Sequence, residues 1–159
     1  MSNAKILPIL INHNPILRKK STQIRRDEIK TKEFQRLCSD MAKTMEEKDG
    51  AGLAAPQIGK NIRLVVVRTE NSAVCMINPK IIKKSWAKEC GEEGCLSVPD
   101  VFGKVKRHKK IICKYLDKKG KEIKIEAEGL MARVIQHEID HLDGERKHEC
   151  ANIAGEKKL

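Results

Sequence analysis

The strand signals of this chain come in one run, with helical periodicity on either side of it. Ile62 to Arg68 is rich in β-branched residues, and Val74 to Lys83 is a second such segment, interrupted by Asn78-Pro79. Lys109 to Leu116 and Lys121 to Ala127 flank Asp117-Lys118-Lys119-Gly120, which reads as a hairpin turn with glycine in the left-handed position. Ile123, Ile125 and Ala127 alternate with Lys124, Glu126 and Glu128, the pattern of a half-buried antiparallel strand. Strands in series, bracketed by helices, predict an α+β fold rather than a doubly wound sheet.

The first long helix is expected from Thr31, a plausible N-cap, to Lys48, with Glu33 adding negative charge to its first turn. Phe34, Leu37, Cys38, Met41 and Met45 form its apolar stripe. Asp49-Gly50 ends it. Gly129 opens a second helix with Leu130, Val134, Ile135 and Leu142 at apolar positions and Gly144 beyond its end. Residues 5 to 26 read as irregular, apart from a short helical turn at Pro15-Ile16-Leu17-Arg18.

The chain has 159 residues, 40% of them hydrophobic and 35% charged. That length fits one domain spanning 1–159, with residues 145–159 a polar tail expected to fray. The composition excludes a disordered chain. Apolar runs such as Ile6 to Ile11 and Leu64 to Val67 are too short to cross a bilayer, and no secretory leader is recognisable. A cytoplasmic protein without a membrane partner is expected. The formal charge of +11 favours polyanionic partners. The basic clusters are not interleaved with aromatic residues, which argues against base stacking and against specific DNA recognition. Cysteines stand at 38, 75, 90, 95, 113 and 150 without a CxxC pair, and are expected as reduced thiols.

Three segments carry chemistry. In Gln136-His137-Glu138-Ile139-Asp140-His141, two histidines four residues apart share a helical face and can reach one metal. Glu138 beside them is placed as a general base. A hydrolytic metal needs a third protein ligand and an open position. The carboxylates after His141 have no helical frame to bring them back. Upstream, Glu92-Glu93-Gly94-Cys95-Leu96-Ser97 offers a thiol next to a glycine, so Cys95 is the candidate and Cys90 its rival. The third segment, Gly50-Ala51-Gly52-Leu53-Ala54-Ala55-Pro56-Gln57-Ile58-Gly59, permits close backbone approach but lacks the ending of a phosphate loop. Taken alone it reads as a connection between elements, with Gln57 a solvated amide.

Together, GLAAPQ (Gly52 to Gln57), EGCLS (Glu93 to Ser97) and QHEIDH (Gln136 to His141) resemble the motifs of the peptide deformylase family, in the same order. The resemblance runs from about Ile6 to Gly144. It implies antiparallel sheets wrapped around a central helix bearing the histidine pair, and removal of the N-formyl group from formyl-methionyl peptides with release of formate. It further implies Cys95, His137 and His141 as ligands of one divalent ion and Glu138 as general acid/base. Gln57 and the Leu96 backbone N–H would be the oxyanion donors. Substrate would be bound by Gly50, Ala51, Gly52, Glu93, Gly94, Leu130 and Val134. The family points to Fe²⁺, with Zn²⁺, Ni²⁺ or Co²⁺ as substitutes in purified protein, whereas the ligand set alone suggests zinc. Two departures stand out. Phe102 occupies a position where the family commonly has arginine, leaving Arg107 to serve instead, and the segment after Gly144 is polar rather than an apolar helix. Contact with the ribosome would therefore rest on the basic surface. The competing readings are a small metallopeptidase and a basic RNA- or ribosome-binding module with a structural metal.

Overall fold

The computed structural model describes residues 3–145, so most of the tail expected at 145–159 lies outside the described residues. The elements in chain order are a 3-10 turn (Pro15–Arg18), α1 (Arg26–Ile29), α2 (Lys32–Glu47), β1 (Gly52–Ala54), a second 3-10 turn (Ala55–Ile58), β2 (Leu64–Arg68), β3 (Ala73–Lys84), β4 (Lys88–Cys95), β5 (Val98–His108), β6 (Lys110–Leu116), β7 (Glu122–Glu128) and α3 (Gly129–Leu142). The fold is α+β. Its antiparallel strands form a five-stranded sheet ordered β1-β2-β3-β6-β7 and a two-stranded ribbon, β4-β5.

Local chemistry explains the boundaries. The Thr31 hydroxyl accepts from the Phe34 N–H at 3.2 Å, capping α2. Phe34, Cys38, Met41 and Met45 are buried against Leu64, Val66, Cys75 and Ile77 of the sheet. The opposite sheet face (Val65, Val67, Met76, Ile111 and Cys113) packs on Ala132, Ile135, Ile139 and Leu142 of α3. Each helix thus buries one stripe against one side of the same sheet.

Asn78-Pro79 interrupts the pairing of β3 without ending the strand. The strand continues to Lys84, and its pairing with β6 shifts register between Ile77 and Lys80. Asn78 sits at φ 51°, and its side chain clamps Ile24 through bonds of 2.9 and 2.8 Å to that residue's N–H and C=O. Proline removes a ladder donor, and the bulge absorbs the loss. The hairpin at Asp117–Gly120 forms with Gly120 at φ 81°, and β6 and β7 pair from Lys110↔Glu128 to Leu116↔Glu122. The segment before α1 is extended. It straps the molecule through Leu7 N–H to Thr44 Oγ1, Leu10 N–H to the Gln57 carbonyl and Asn12 N–H to the Ser97 carbonyl, at 2.7–2.8 Å.

The β4-β5 ribbon has no counterpart in the strand signals of the sequence. Gly103 and Arg107 are its buried residues; none of its hydrophobic side chains is fully buried. An amphipathic alternation is therefore missing, and hydrophobic periodicity passes over it. Cys38, Cys75, Cys95 and Cys113 carry free thiols, whereas Cys90 is disulfide-bonded. Cys90 lies exposed on β4, so burial does not protect it from oxidation as it does Cys38 and Cys113.

Candidate metal centre

The glycine-rich segment folds as β1 followed by a 3-10 turn, and this buries Gln57 to 2% exposure instead of solvating it. Its Oε1 accepts from the Ala54 N–H at 2.9 Å. That bond orients the amide, so Nε2 lies 3.5 Å from Cys95 Sγ and 3.2 Å from Ser97 Oγ.

Cys95 ends β4, where the register breaks between Gly94 and Cys95 and the chain turns into β5. Its sulfur is 3.3 Å from His141 Nε2, which in turn is 3.2 Å from His137 Nε2. The three donor atoms all lie within 4.8 Å of one another. Bonds of about 2.0–2.3 Å to a tetrahedral ion put its donors roughly 3.3–3.8 Å apart, so the cluster is of the right size and chemistry for a divalent metal. Cys90, six residues upstream of Leu96, is not in the cluster.

Buried charge organises this cluster from behind. Glu93 Oε1 lies 2.9 Å from His137 Nδ1, which turns Nε2 of that ring toward Cys95 and His141. Arg107 grips the same carboxylate with two bonds of 2.9 Å and also pairs with Asp140 of α3. Arg133 adds a third bond to Glu93 at 2.6 Å and reaches the Val105 and Glu89 carbonyls. Burial pushes the Glu93 carboxyl up, but hydrogen bonds from His137 and Arg107 outweigh it and leave the pKa at about 2. Gln136 ties α3 to β5 through the His108 N–H and C=O. Arg107 is 4% exposed and bonded to both Glu93 and Asp140. It is held by two carboxylates and does not line the cavity beside Cys95, so it is not placed to stand in for the arginine missing at Phe102.

Glu138 is 3% exposed, and its Oε2 has no hydrogen-bond partner among the described residues. Burial pushes its carboxyl up to about 7, against the lowering influence of His137. Its position depends on Gly52, since a Cβ there would fall 2.6 Å from Glu138 Oε1. A carboxylate with an unused buried oxygen beside a metal-sized donor cluster is equipped to hold and pass a proton.

Gln57, Glu93, Cys95, His137 and Glu138 open onto one cavity of about 730 Å³. Gly50, Ala51, Gly52 and Gln57 line it from the β1 side, and Glu93, Gly94, Cys95 and Leu96 from the ribbon. Leu130, Val134, His137 and Glu138 line it from α3. Leu130 and Phe102 are exposed at 72% and 59% and form an apolar lip. A Cβ on Gly94 would sit 2.7 Å from the Phe102 ring, so the glycine lets that ring lie against the ribbon. Arg133 and Ser97 are participants that sequence reasoning passed over. Arg133 stands four residues before His137 on α3, a spacing that was available as a signal.

Comparison with known proteins places this geometry. The family model for polypeptide deformylase matches residues 6–153. A peptide deformylase of Dictyoglomus thermophilum is 47% identical over 131 residues, covering 82% of this chain and 83% of the relative. Among solved structures, a class I type b peptide deformylase from Acinetobacter baumannii superposes with a TM-score of 0.86 at 37% identity, over 89% of this chain and 96% of that one. An Acinetobacter baumannii structure with Met-Ala-Ser bound superposes with a TM-score of 0.83 at 35% identity, over 88% and 94% of the two chains.

Proposed function

Because the chain belongs to the polypeptide deformylase family, a family of metal-dependent hydrolases, we propose that it removes the N-formyl group from the N-terminal formyl-methionine of newly synthesised polypeptides, releasing formate. The observation that carries this reading is the convergence of Cys95, His137 and His141 beside the buried Glu138. The three donors would hold one divalent ion, Fe²⁺ by family resemblance, with Zn²⁺, Ni²⁺ or Co²⁺ as substitutes. Such an ion, when bound, supplies Lewis acidity that activates water and polarises the formyl carbonyl.

The chain's own residues do the rest. Glu138 takes the proton of the attacking water and returns it to the leaving amine. The Gln57 amide, aimed by its bond from Ala54, and the Leu96 N–H donate to the oxyanion. Loss of one such donor costs about 3–4 kcal/mol of barrier. Ala51, Leu130, Val134 and the His137 ring receive the methionine side chain, and the bound Met-Ala-Ser in a related structure supports a methionyl peptide there. Gly50, Gly52 and Gly94 keep the reacting end narrow, which favours formyl over the larger acetyl group. Glu93 acts through His137 and Arg107 rather than on substrate.

In this reading residues 1–159 form one catalytic domain, the two sheets wrap around α3 as a central helix, and the protein works in the cytoplasm with transient ribosome contact through its basic surface. A structural metal would be closed by four protein donors; the cluster has three among the described residues. The test is formate release from a formyl-Met-Ala peptide after anaerobic loading with Fe²⁺. Turnover is expected, together with its near-complete loss in Glu138→Ala at unchanged metal content. Normal turnover by that variant would overturn the assignment of the base.

A further inference from the structure

Trp86 is the only tryptophan of the chain, and it is fully exposed, at 101%. An indole normally hides about 150–250 Å² of surface on folding, so complete exposure forgoes a large apolar gain. Trp86 stands in the turn joining β3 to β4, and the turn is firmly built. The Ser85 N–H donates to the Lys110 carbonyl at 2.9 Å, and the Lys110 N–H to Ser85 Oγ at 3.1 Å. The Ser85 hydroxyl donates to the Ala87 carbonyl at 2.8 Å, which also accepts from the Lys109 N–H at 3.0 Å. His108 Nδ1 lies 2.7 Å from the Ser85 carbonyl oxygen. The indole is therefore held out on a fixed platform.

The turn carries several lysines. Lys83 and Lys84 end β3, Lys88 opens β4, and Lys109 and Lys110 face the turn, all exposed. Lys110 pairs with Glu128 at 3.4 Å; the others form no ion pair among the described residues. Behind the turn lies a cleft of about 410 Å³ walled by Lys80, Lys84, Lys88 and Lys106. Of the acids in that cleft, Asp140 and Asp143 are tied to Arg107 and Arg63, and Glu145 also has a partner.

We propose that this turn is an RNA-docking tip: Trp86 stacks on an unpaired base while the phosphates follow Lys84, Lys88, Lys106 and Lys109. An aromatic face with flanking cations is what single-stranded nucleic acid requires, one for the base and the others for the backbone. A lipid surface fits less well. Ser85 and Ala87 beside the indole add almost no apolar area for insertion, Ile82 on β3 adds only a half-exposed side chain, and Lys84, Lys88 and Lys106 line a cleft. Counting aromatics in the sequence argues against stacking; their placement argues for it. The inference rests on the proposed function only for where the RNA would be met, at the site of polypeptide synthesis.

The single indole makes the tip its own reporter. The full chain is titrated with an oligouridylate of about twelve nucleotides, following tryptophan emission, and separately with phosphatidylglycerol vesicles. Saturable quenching by the RNA is expected, with log K falling against log salt at a slope of about −2 to −3 for three or four phosphates neutralised. By anisotropy of labelled RNA, Trp86→Ala should weaken binding by about tenfold or more, Trp86→Phe should restore most of it, and Lys84→Glu with Lys88→Glu should also weaken it. Formate release from the free peptide should stay unchanged in all of these variants. Equal RNA binding by wild type and Trp86→Ala, or a vesicle response without an RNA response, would overturn the proposal. RNA binding by a protein that releases no formate would instead count against the deformylase reading and leave this one standing.

Discussion

The five-stranded sheet and the β4-β5 ribbon are both antiparallel, yet they are held by different forces. In the sheet, Ile111↔Ala127, Cys113↔Ile125 and Tyr115↔Ile123 face one way and pack with Ala132, Ile135 and Leu142 of α3. That is apolar burial, which is strong but has no directional preference. The ribbon is bound to α3 by Glu93, Arg107, Arg133 and Asp140, all largely buried. Buried ion pairs add little net stability over an apolar substitute, but their geometry is directional and unforgiving. The sheet supplies the platform on which α3 lies. The ribbon supplies Cys95, whose sulfur lies 3.3 Å from His141 Nε2, and it is the ribbon that carries the directional clamps.

That contrast can be broken most severely at Glu93. Glu93→Ala leaves Arg133 without its carboxylate and Arg107 with Asp140 alone, and should cost about 3–5 kcal/mol in urea unfolding. It also removes the partner of His137 Nδ1, so metal affinity should fall about 10–100-fold, read by competition with a chelator. A comparable insult to the sheet should behave differently. Met76→Ala, at a fully buried position, is expected to cost about 3 kcal/mol while leaving metal affinity in the folded protein unchanged. Equal loss of metal affinity in both variants would dissolve the distinction.

Gly52→Ala probes where platform and site touch. Its methyl would displace the Glu138 carboxylate, and a misplacement of that order should lower kcat about 100-fold with only a modest change in stability. The smallest expected effect concerns Cys113, buried in the sheet core. Burial pushes its thiol up to about 11 from 9.0. The neutral form is therefore favoured in the folded state, so the contribution is intact below pH 9 and is lost as pH rises through 11. Wild type should lose about 2 kcal/mol by pH 11 relative to Cys113→Val, measured by unfolding at matched pH.

How much of this was legible depends on which force leaves a periodic trace. Burial of Phe34, Cys38, Met41 and Met45 is written as a helical stripe, and the β6-β7 hairpin as alternation around Gly120. The ribbon shows nothing of the kind, because its buried contacts belong to Arg107 and Glu93, residue types that ordinarily mark a solvated surface. Gln57 illustrates the same blindness. As a residue it reads as a surface amide, and only the turn after β1 draws it inside toward Cys95. Trp86 is the reverse case, a side chain that composition assigns to the interior and the β3-β4 turn exposes.

From its amino acids alone this chain declared the pairing of His137 with His141, the carboxylate between them, the order of its three motifs and the α+β arrangement of its elements. These are local or compositional properties, set by spacing along a helix or alternation along a strand. Only the tertiary structure decided that a sulfur 46 residues before His141 lies against it, that Arg107 is consumed in holding Glu93, and that Glu138 rests in the space Gly52 leaves. Such meetings depend on loop closure and on buried charges finding their partners, and neither leaves a period in the sequence.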